Sequence, residues 1–216
     1  MHTIIKVVCY VRYDTIPINL FPKRRIEMES KCDLRIIRTY KSLTEAFLHL
    51  MSEKHFEDIT INELCERAMI RRTTFYKHFA DKYEFFSFFI RQLQTNFDAS
   101  SEFSSDYKDP QTFYISIIHH FFDFFKEHEK LVNMVLSSNM ISTLIDILSE
   151  QSTFDITEKI KIAIKKGISV PASPEIVAAF FTGAIMNTVR LWLTQKKQIS
   201  EETLIQEFEK ILVAFK

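Results

Sequence analysis

One stretch, Thr60 to Lys82 (TINELCERAMIRRTTFYKHFADK), limits the fold more than any other. Thr60 and Glu63 stand three residues apart at the head of an apolar pattern, which is the spacing of a capping box at a helix start. Ile61, Leu64, Cys65 and Ala68 then recur at helical spacing and share one face. Met69 and Ile70 make a turn. A second short helix is predicted from about Arg71 to His78, with Phe75 and Phe79 directed inward, four residues apart. Its other face carries Arg71, Arg72, Thr73, Tyr76, Lys77 and His78. Long, donor-rich and partly cationic side chains on a short helix suit the major groove of DNA. That groove admits a helix, and its base edges present acceptors.

At these residues the chain resembles the tetracycline-repressor (TetR) family of DNA-binding regulators. The resemblance lies in ITINELCERA, TTFYKHF and DKYEFF. It is specific over residues 34 to about 89 and continues to Lys216 as a pattern of helix lengths. It implies a capped helix, a turn, a recognition helix ending in Tyr76-x-His78-Phe79, and Lys82 opening the next helix. It also implies the contacts. Thr60 and Asn62 would meet phosphate or the groove edge. Arg72, Thr73, Tyr76 and Lys77, beside Arg71, would reach bases or phosphate, and His78 and Lys82 would hold the DNA backbone. Arg72 suits a bidentate contact to guanine, while Lys77 and Lys82 would neutralise phosphate and set the salt dependence. Two positions depart from the family. Met69 stands where a Gly is usual, and Arg71 where a small capping residue is usual. If the turn requires positive φ, Met69 costs about 1 kcal/mol or more.

With only 2 Gly and 5 Pro in 216 residues, turn-formers are too scarce for a many-stranded sheet, and an all-α protein fits better. The formal net charge is zero, yet residues 71–82 hold four Lys/Arg against one acid, and residues 23–41 hold seven against three. A basic end on a neutral protein is what local phosphate binding asks for. Cys9, Cys32 and Cys65 show no CxxC spacing and read as reduced thiols in a cytoplasmic protein. No unbroken apolar run approaches the ~18 residues of a membrane span, so no membrane association is expected.

Three regions follow in order. Residues 1–33 read as a poorly packed extension: Ile4 to Val11 is apolar but broken by Lys6, and Pro17 and Pro22 interrupt any helix. Met28 is a candidate true start, and Lys23 to Arg25 a candidate arm on the DNA backbone. Residues 34–81 form the helix-turn-helix domain, whose first helix runs from Leu34 to about Lys54. Residues 82–216 form the effector-binding and dimerisation domain. Helices are expected from Lys82 to about Phe97, Gln111 to Lys126, Leu131 to Leu136, Asn139 to Leu148 and Ile156 to Lys166, with loops at Ser100–Pro110 and Ser149–Phe154. Gly167 reads as the residue that ends a helix. Pro174 to about Gln195 is apolar enough to require burial almost all round. A final helix opens at Ser200 and Glu201 and places Leu204, Phe208 and Ile211 on one face.

In the family the last two helices pair with their copies in a second subunit. The resemblance therefore implies a homodimer with Phe180, Ala184, Thr188, Leu191, Leu204, Phe208 and Ile211 in the interface. Two recognition helices would then read a near-palindromic double-stranded operator. It also implies a pocket for an unknown small-molecule effector, with Phe85, Phe89, Phe113, Ile117, Phe121, Phe125, Phe181 and Trp192 as candidate lining. Aromatics at helical spacing are also what a plain core requires. His119, Asp123 and Glu127 share a helix face at a spacing that suits a metal, but no second ligand cluster accompanies them. No Gly-rich phosphate loop or nucleophile elbow supports an enzyme or a cofactor. The expected function is a sequence-specific transcriptional regulator, a repressor modulated by an effector. The alternative is a dimeric adaptor that keeps the fold without DNA readout, motivated by Met69 and Arg71.

Overall fold

The computed structural model describes residues 34–100, 110–195 and 199–214, so residues 1–33 and the readings placed on them lie outside the described residues. Every regular element among the described residues is helical. They form two compact units. The first holds the described residues up to Ala99 together with Ser137–Met140, and the second holds the rest.

The first unit begins with α1, Leu34–Glu53. Its apolar stripe (Tyr40, Leu43, Phe47, Leu50 and Met51) is buried. A single 3-10 turn, Phe56–Asp58, leads to α2, Ile61–Arg67, then α3, Arg72–His78, and α4, Lys82–Ser100. Phe47 sits among four other rings, with centroids 6.1 Å from Phe56, 5.4 Å from Phe85, 6.1 Å from Phe86 and 5.3 Å from Phe89. Phe79 joins this core from α3, 5.2 Å from Phe85 and 5.3 Å from Phe88. The first two turns of α4 are thus the floor on which α1 and α3 rest. Each of these rings removes a large apolar area from water, and their edge-to-face and tilted pairings add to that burial.

The second unit contains α5, Pro110–Glu127; α6, Glu129–Ser137; α7, Ile141–Lys165; α8, Pro174–Thr194; and α9, Glu201–Ala214. Here α7 packs along α8, and α9 along α5. The expected loop at Ser149–Phe154 is instead the middle of α7. Three side chains support the helix there: Ser149 Oγ donates to Ile145 O at 2.7 Å, Thr157 Oγ1 donates to Thr153 O at 2.7 Å, and Gln151 Nε2 donates to the Asp155 carboxylate. Polar composition alone did not break the helix because no Gly or Pro interrupts it. Gly167, at φ 93°, does end α7: Gly167 N donates to Ile164 O and Ile168 N to Ala163 O, the double bond of a Schellman motif.

The helix α8 departs from the expectation of burial all round. Val177, Ala178, Thr182, Ile185, Met186, Val189 and Trp192 are buried. Ile176, Phe180 and Leu191 stand more than half exposed on the chain taken alone, with Ala184 exposed between them. By length and average composition alone, α8 is also the one helix among the described residues long and apolar enough to cross a membrane. It passes because an average tolerates interspersed Thr, Gly and Asn, and 44% of that window is buried inside the structure, as in the core helix of a globular domain.

Candidate nucleic-acid interface

The two short helices are fixed locally before any tertiary contact is counted. At the head of α2, Thr60 Oγ1 accepts from Glu63 N at 3.2 Å, and Glu63 Oε2 accepts from Thr60 N at 2.9 Å. This is the reciprocal capping box that the sequence spacing predicts. Lys54 closes an ion pair on the same carboxylate. The Lys54 hydrogen bond, followed by the bonds from Thr60, lowers the Glu63 carboxyl to a pKa of about 2. Thr60 therefore spends its hydroxyl on the cap, where it also donates to Glu63 Oε2 at 2.8 Å. Asn62 is exposed on α2.

At the end of α2, Met69 N donates to Glu66 O at 3.1 Å and Ile70 N to Cys65 O at 3.0 Å. These are the two bonds of a Schellman motif with Met69 at the left-handed position, φ 55°. The turn thus keeps the geometry for which Gly is usual and leaves the Met side chain 92% exposed. Arg71 is the N-cap of α3, with extended backbone and no side-chain cap, so α3 starts one residue later than predicted.

On α3, Phe75 and Phe79 point into the aromatic core and fix the rotation of the helix. Arg72, Thr73, Tyr76 and Lys77 are left exposed together, beside exposed Arg71. The Arg72 guanidinium lies 5.9 Å from the Tyr76 ring centroid, a cation–π contact that holds both side chains on the outer face. His78 is half-buried at the far end. Its Nδ1 lies 3.2 Å from the Tyr40 hydroxyl, and burial, with a smaller contribution from the Lys77 charge, lowers its pKa.

Lys82 stands at the head of α4. Its ammonium donates to the carbonyls of Phe56 at 3.0 Å, Glu57 at 2.7 Å and Ile59 at 2.9 Å, and it lies 4.9 Å from the Phe56 ring centroid. All three N–H groups are directed at the 3-10 turn, so Lys82 ties that turn to the head of α4. The same turn is tied again from Ser137–Met140: Phe56 N donates to Ser138 Oγ at 3.0 Å and Asn139 N to Glu57 Oε1 at 2.8 Å. No sequence pattern announced either tie, because the partners lie 23 to 82 residues apart.

Phe85 and Phe89 belong to the ring cluster around Phe47, which places them in the core of the first unit and not on a cavity wall. Ile117, Phe121 and Phe125 are buried along α5, and Phe181 is partly exposed on α8. Trp192 packs on Phe122 at 5.6 Å and donates to Ile199 O at 2.9 Å. The backbone of Phe113 lies in α5, and its side chain is outside the described residues. Of the expected dimer residues, Leu204 and Phe208 are covered within the chain. Phe180, Ala184, Leu191 and Ile211 are exposed, and Thr188 is half-exposed with its hydroxyl donating to Ala184 O. His119 Nε2 lies 3.9 Å from Glu209, and among the described residues no three potential ligands gather into a metal site.

Residues 43–87 match the bacterial regulatory proteins of the tetR family, and residues 113–213 match a transcriptional regulator C-terminal region of the same family. The uncharacterised HTH-type transcriptional regulator YxbF of Bacillus subtilis is 39% identical over 67 residues, which cover 31% of this chain and 18% of that protein. The chain spans less than half the length of the curated relatives it matches. Among solved structures, a TetR-family transcriptional regulator from Syntrophomonas wolfei superposes with a TM-score of 0.62 at 19% identity, covering 83% of this chain and 95% of that one. The regulator FadR from Bacillus subtilis, solved in complex with stearoyl-CoA, gives 0.55 at 13% identity over 82% and 97%. At such identities the likeness is one of fold.

Proposed function

This chain belongs to the TetR family of bacterial regulatory proteins, and from that premise we propose that it acts in the cytoplasm as a dimeric repressor on a near-palindromic operator. The carrying observation is the outer face of α3. Arg72, Thr73, Tyr76 and Lys77 are exposed together on a helix whose inner face is locked by Phe75 and Phe79. Arg72 supplies the fork that matches a guanine edge, while Lys77 and Arg71 supply phosphate contacts. His78, held by Tyr40, adds a backbone contact at the end of the helix. The turn closes with Met69 in place, so the departure that motivated an adaptor reading leaves the geometry of the motif intact.

The dimer surface is the outer stripe of α8 with Ile211 of α9. Ile176, Phe180, Ala184 and Leu191 fall at helical spacing, and on a lone chain they would expose a continuous apolar band. A second copy covers such a band through an isologous contact and sets two copies of α3 about one turn of duplex, or a multiple, apart. An effector held in the second unit would lower operator affinity by favouring the state with the wrong separation. The aromatic and aliphatic character of α5 favours an effector with an apolar body, and a long-chain acyl-CoA is a reasonable first trial given the FadR complex.

The test is fluorescence anisotropy of the full chain on a labelled duplex from the DNA upstream of its own gene, against a scrambled duplex, across a salt series. Genome-wide selection of bound fragments would run alongside. A sequence preference that persists at about 0.15 M salt is the expected result, since non-specific binding alone is erased by salt. No selected fragment and equal, salt-erased binding to both duplexes would overturn it. Sedimentation should give a dimer mass, and Phe180→Glu with Leu191→Glu a folded monomer.

A further inference from the structure

Tyr40 is the polar member of the stripe that α1 turns inward. Leu43, Phe47 and Leu50 of that stripe end in carbon, whereas Tyr40 carries a hydroxyl into the same core. Its ring is 2% exposed and packs on Phe79 of the turn after α3 and on Phe88 of α4, with centroids 5.6 and 4.7 Å away. A ring held in this way puts its hydroxyl at a fixed point. That point lies 3.2 Å from Nδ1 of His78, 38 residues further along the chain. A phenylalanine would fill the same space, so packing alone does not ask for the oxygen. The other ring nitrogen of His78, Nε2, bonds no described residue and is not enclosed by the protein. Burial, and then the charge of Lys77, lower the pKa of the ring. A neutral imidazole carries a single N–H, on one nitrogen or the other.

We propose that Tyr40 is a positioning residue for DNA: its hydroxyl donates to Nδ1 of His78, fixes the ring as the Nε2–H tautomer, and so aims an N–H at a phosphate oxygen of the duplex. The inference rests on the DNA-binding reading above and adds how the end of α3 makes its backbone contact. A phosphate oxygen only accepts, so the nitrogen that faces it must carry the proton. In the other tautomer Nδ1–H donates to the Tyr40 oxygen, and Nε2 turns a lone pair toward the phosphate, which repels it. The same bond sets the rotation of the ring. Histidine χ2 is broad and two-fold, and a half-turn would put carbon at both nitrogen positions. A donor already oriented by the core loses little freedom when DNA arrives, which is the gain from preorganisation. Tyr40 thus acts through His78 and touches no DNA itself.

The experiment is a double-mutant cycle read by anisotropy on the full chain: wild type, Tyr40→Phe, His78→Ala and the two together. The duplexes are a fragment recovered by genome-wide selection and a scrambled one at low salt, because a backbone contact is made on either. Urea midpoints establish that each protein is folded under the assay conditions. If His78→Ala is not, His78→Phe, which keeps a ring without nitrogens, closes the cycle. Tyr40→Phe is expected to weaken binding roughly three- to tenfold, the worth of one hydrogen bond, and His78→Ala at least as much. The double variant should bind no more weakly than His78→Ala alone. Salt slopes should keep the wild-type value, since a neutral donor releases no counterion. Long-range proton–nitrogen spectra of histidine-labelled protein should show His78 protonated at Nε2 and bare at Nδ1. Losses that add across the cycle would make Tyr40 structural and overturn the proposal. So would Tyr40→Phe binding as wild type, His78→Ala losing nothing, or a proton on Nδ1. A slope reduced by about one in His78→Ala also overturns it, because a charged ring donates from both nitrogens whatever Tyr40 does. If the wild type still prefers the selected fragment while the cycle fails, the regulator reading stands and only this inference falls.

Discussion

Replacing Met69 with glycine should stabilise the protein, although it deletes a large side chain. Met69 is the left-handed residue of the Schellman motif that ends α2, at φ 55°. An L-residue with a side chain held in that region costs about 1–2 kcal/mol. The side chain returns little, because it is 92% exposed. Glycine removes the penalty but brings a more disordered unfolded chain, which costs about 0.4–1 kcal/mol. The balance is a gain of up to about 1.5 kcal/mol, centred near ~0.8 kcal/mol, or ~2–3 °C in Tm at the centre for a chain of this size. Urea unfolding should show a higher midpoint with an unchanged slope, the mark of a stability change without a change in exposed surface. Met69→Ala is the control: it trims the side chain and keeps the penalty, so it should stay within about 0.5 kcal/mol of wild type. If Ala stabilises as much as Gly, the gain comes from losing the side chain and the backbone argument is wrong. A destabilised Gly variant would show that the turn does not hold Met69 at positive φ.

Lys82→Met should destabilise by roughly 2–3 kcal/mol, since it frees three carbonyls from a charged donor. Below the unfolding transition, the salt slope of its operator binding should match wild type; a slope reduced by about one with stability unchanged would place Lys82 among the phosphate contacts. Arg72→Ala should leave stability within about 0.5 kcal/mol and weaken operator binding by about 1–3 kcal/mol, which anisotropy at fixed salt reads directly. Glu63 gives a pH signature. Its carboxyl is lowered to about 2 in the folded chain, so its contribution is fully present above its unfolded value near 4.5 and is lost as the pH falls through about 2. Urea midpoints of Glu63→Gln should therefore fall less steeply than those of wild type from pH 4.5 down to 2; parallel curves would show that the carboxylate contributes nothing.

The helix-turn-helix was legible because its signals are local. The Thr60–Glu63 cap, the Phe75–Phe79 spacing and the apolar stripe of α1 each involve residues three to seven apart, where helical geometry alone decides who meets whom. Gly167 was legible for the same reason, since a C-terminal cap is closed by its own helix. Where sequence reasoning failed within one helix, at Ser149–Phe154, it mistook polar composition for a break. Side chains such as Ser149 and Gln151 can bond along the helix they belong to, so polarity without Gly or Pro is no stop signal.

The sequence by itself determined that the chain is helical, where its two short helices begin and end, and which face of α3 turns outward. Only the tertiary structure decided what the residues at the edges of those patterns do. Thr60 and Lys82 carry the polar groups a phosphate contact would use, yet one is consumed by a cap and the other by three carbonyls of a distant turn. Phe85 and Phe89 resemble pocket residues until Phe47 is placed between them. A polar side chain is available to a ligand only if no nearer partner claims it, and nearness across 23 to 82 residues is a property of the fold.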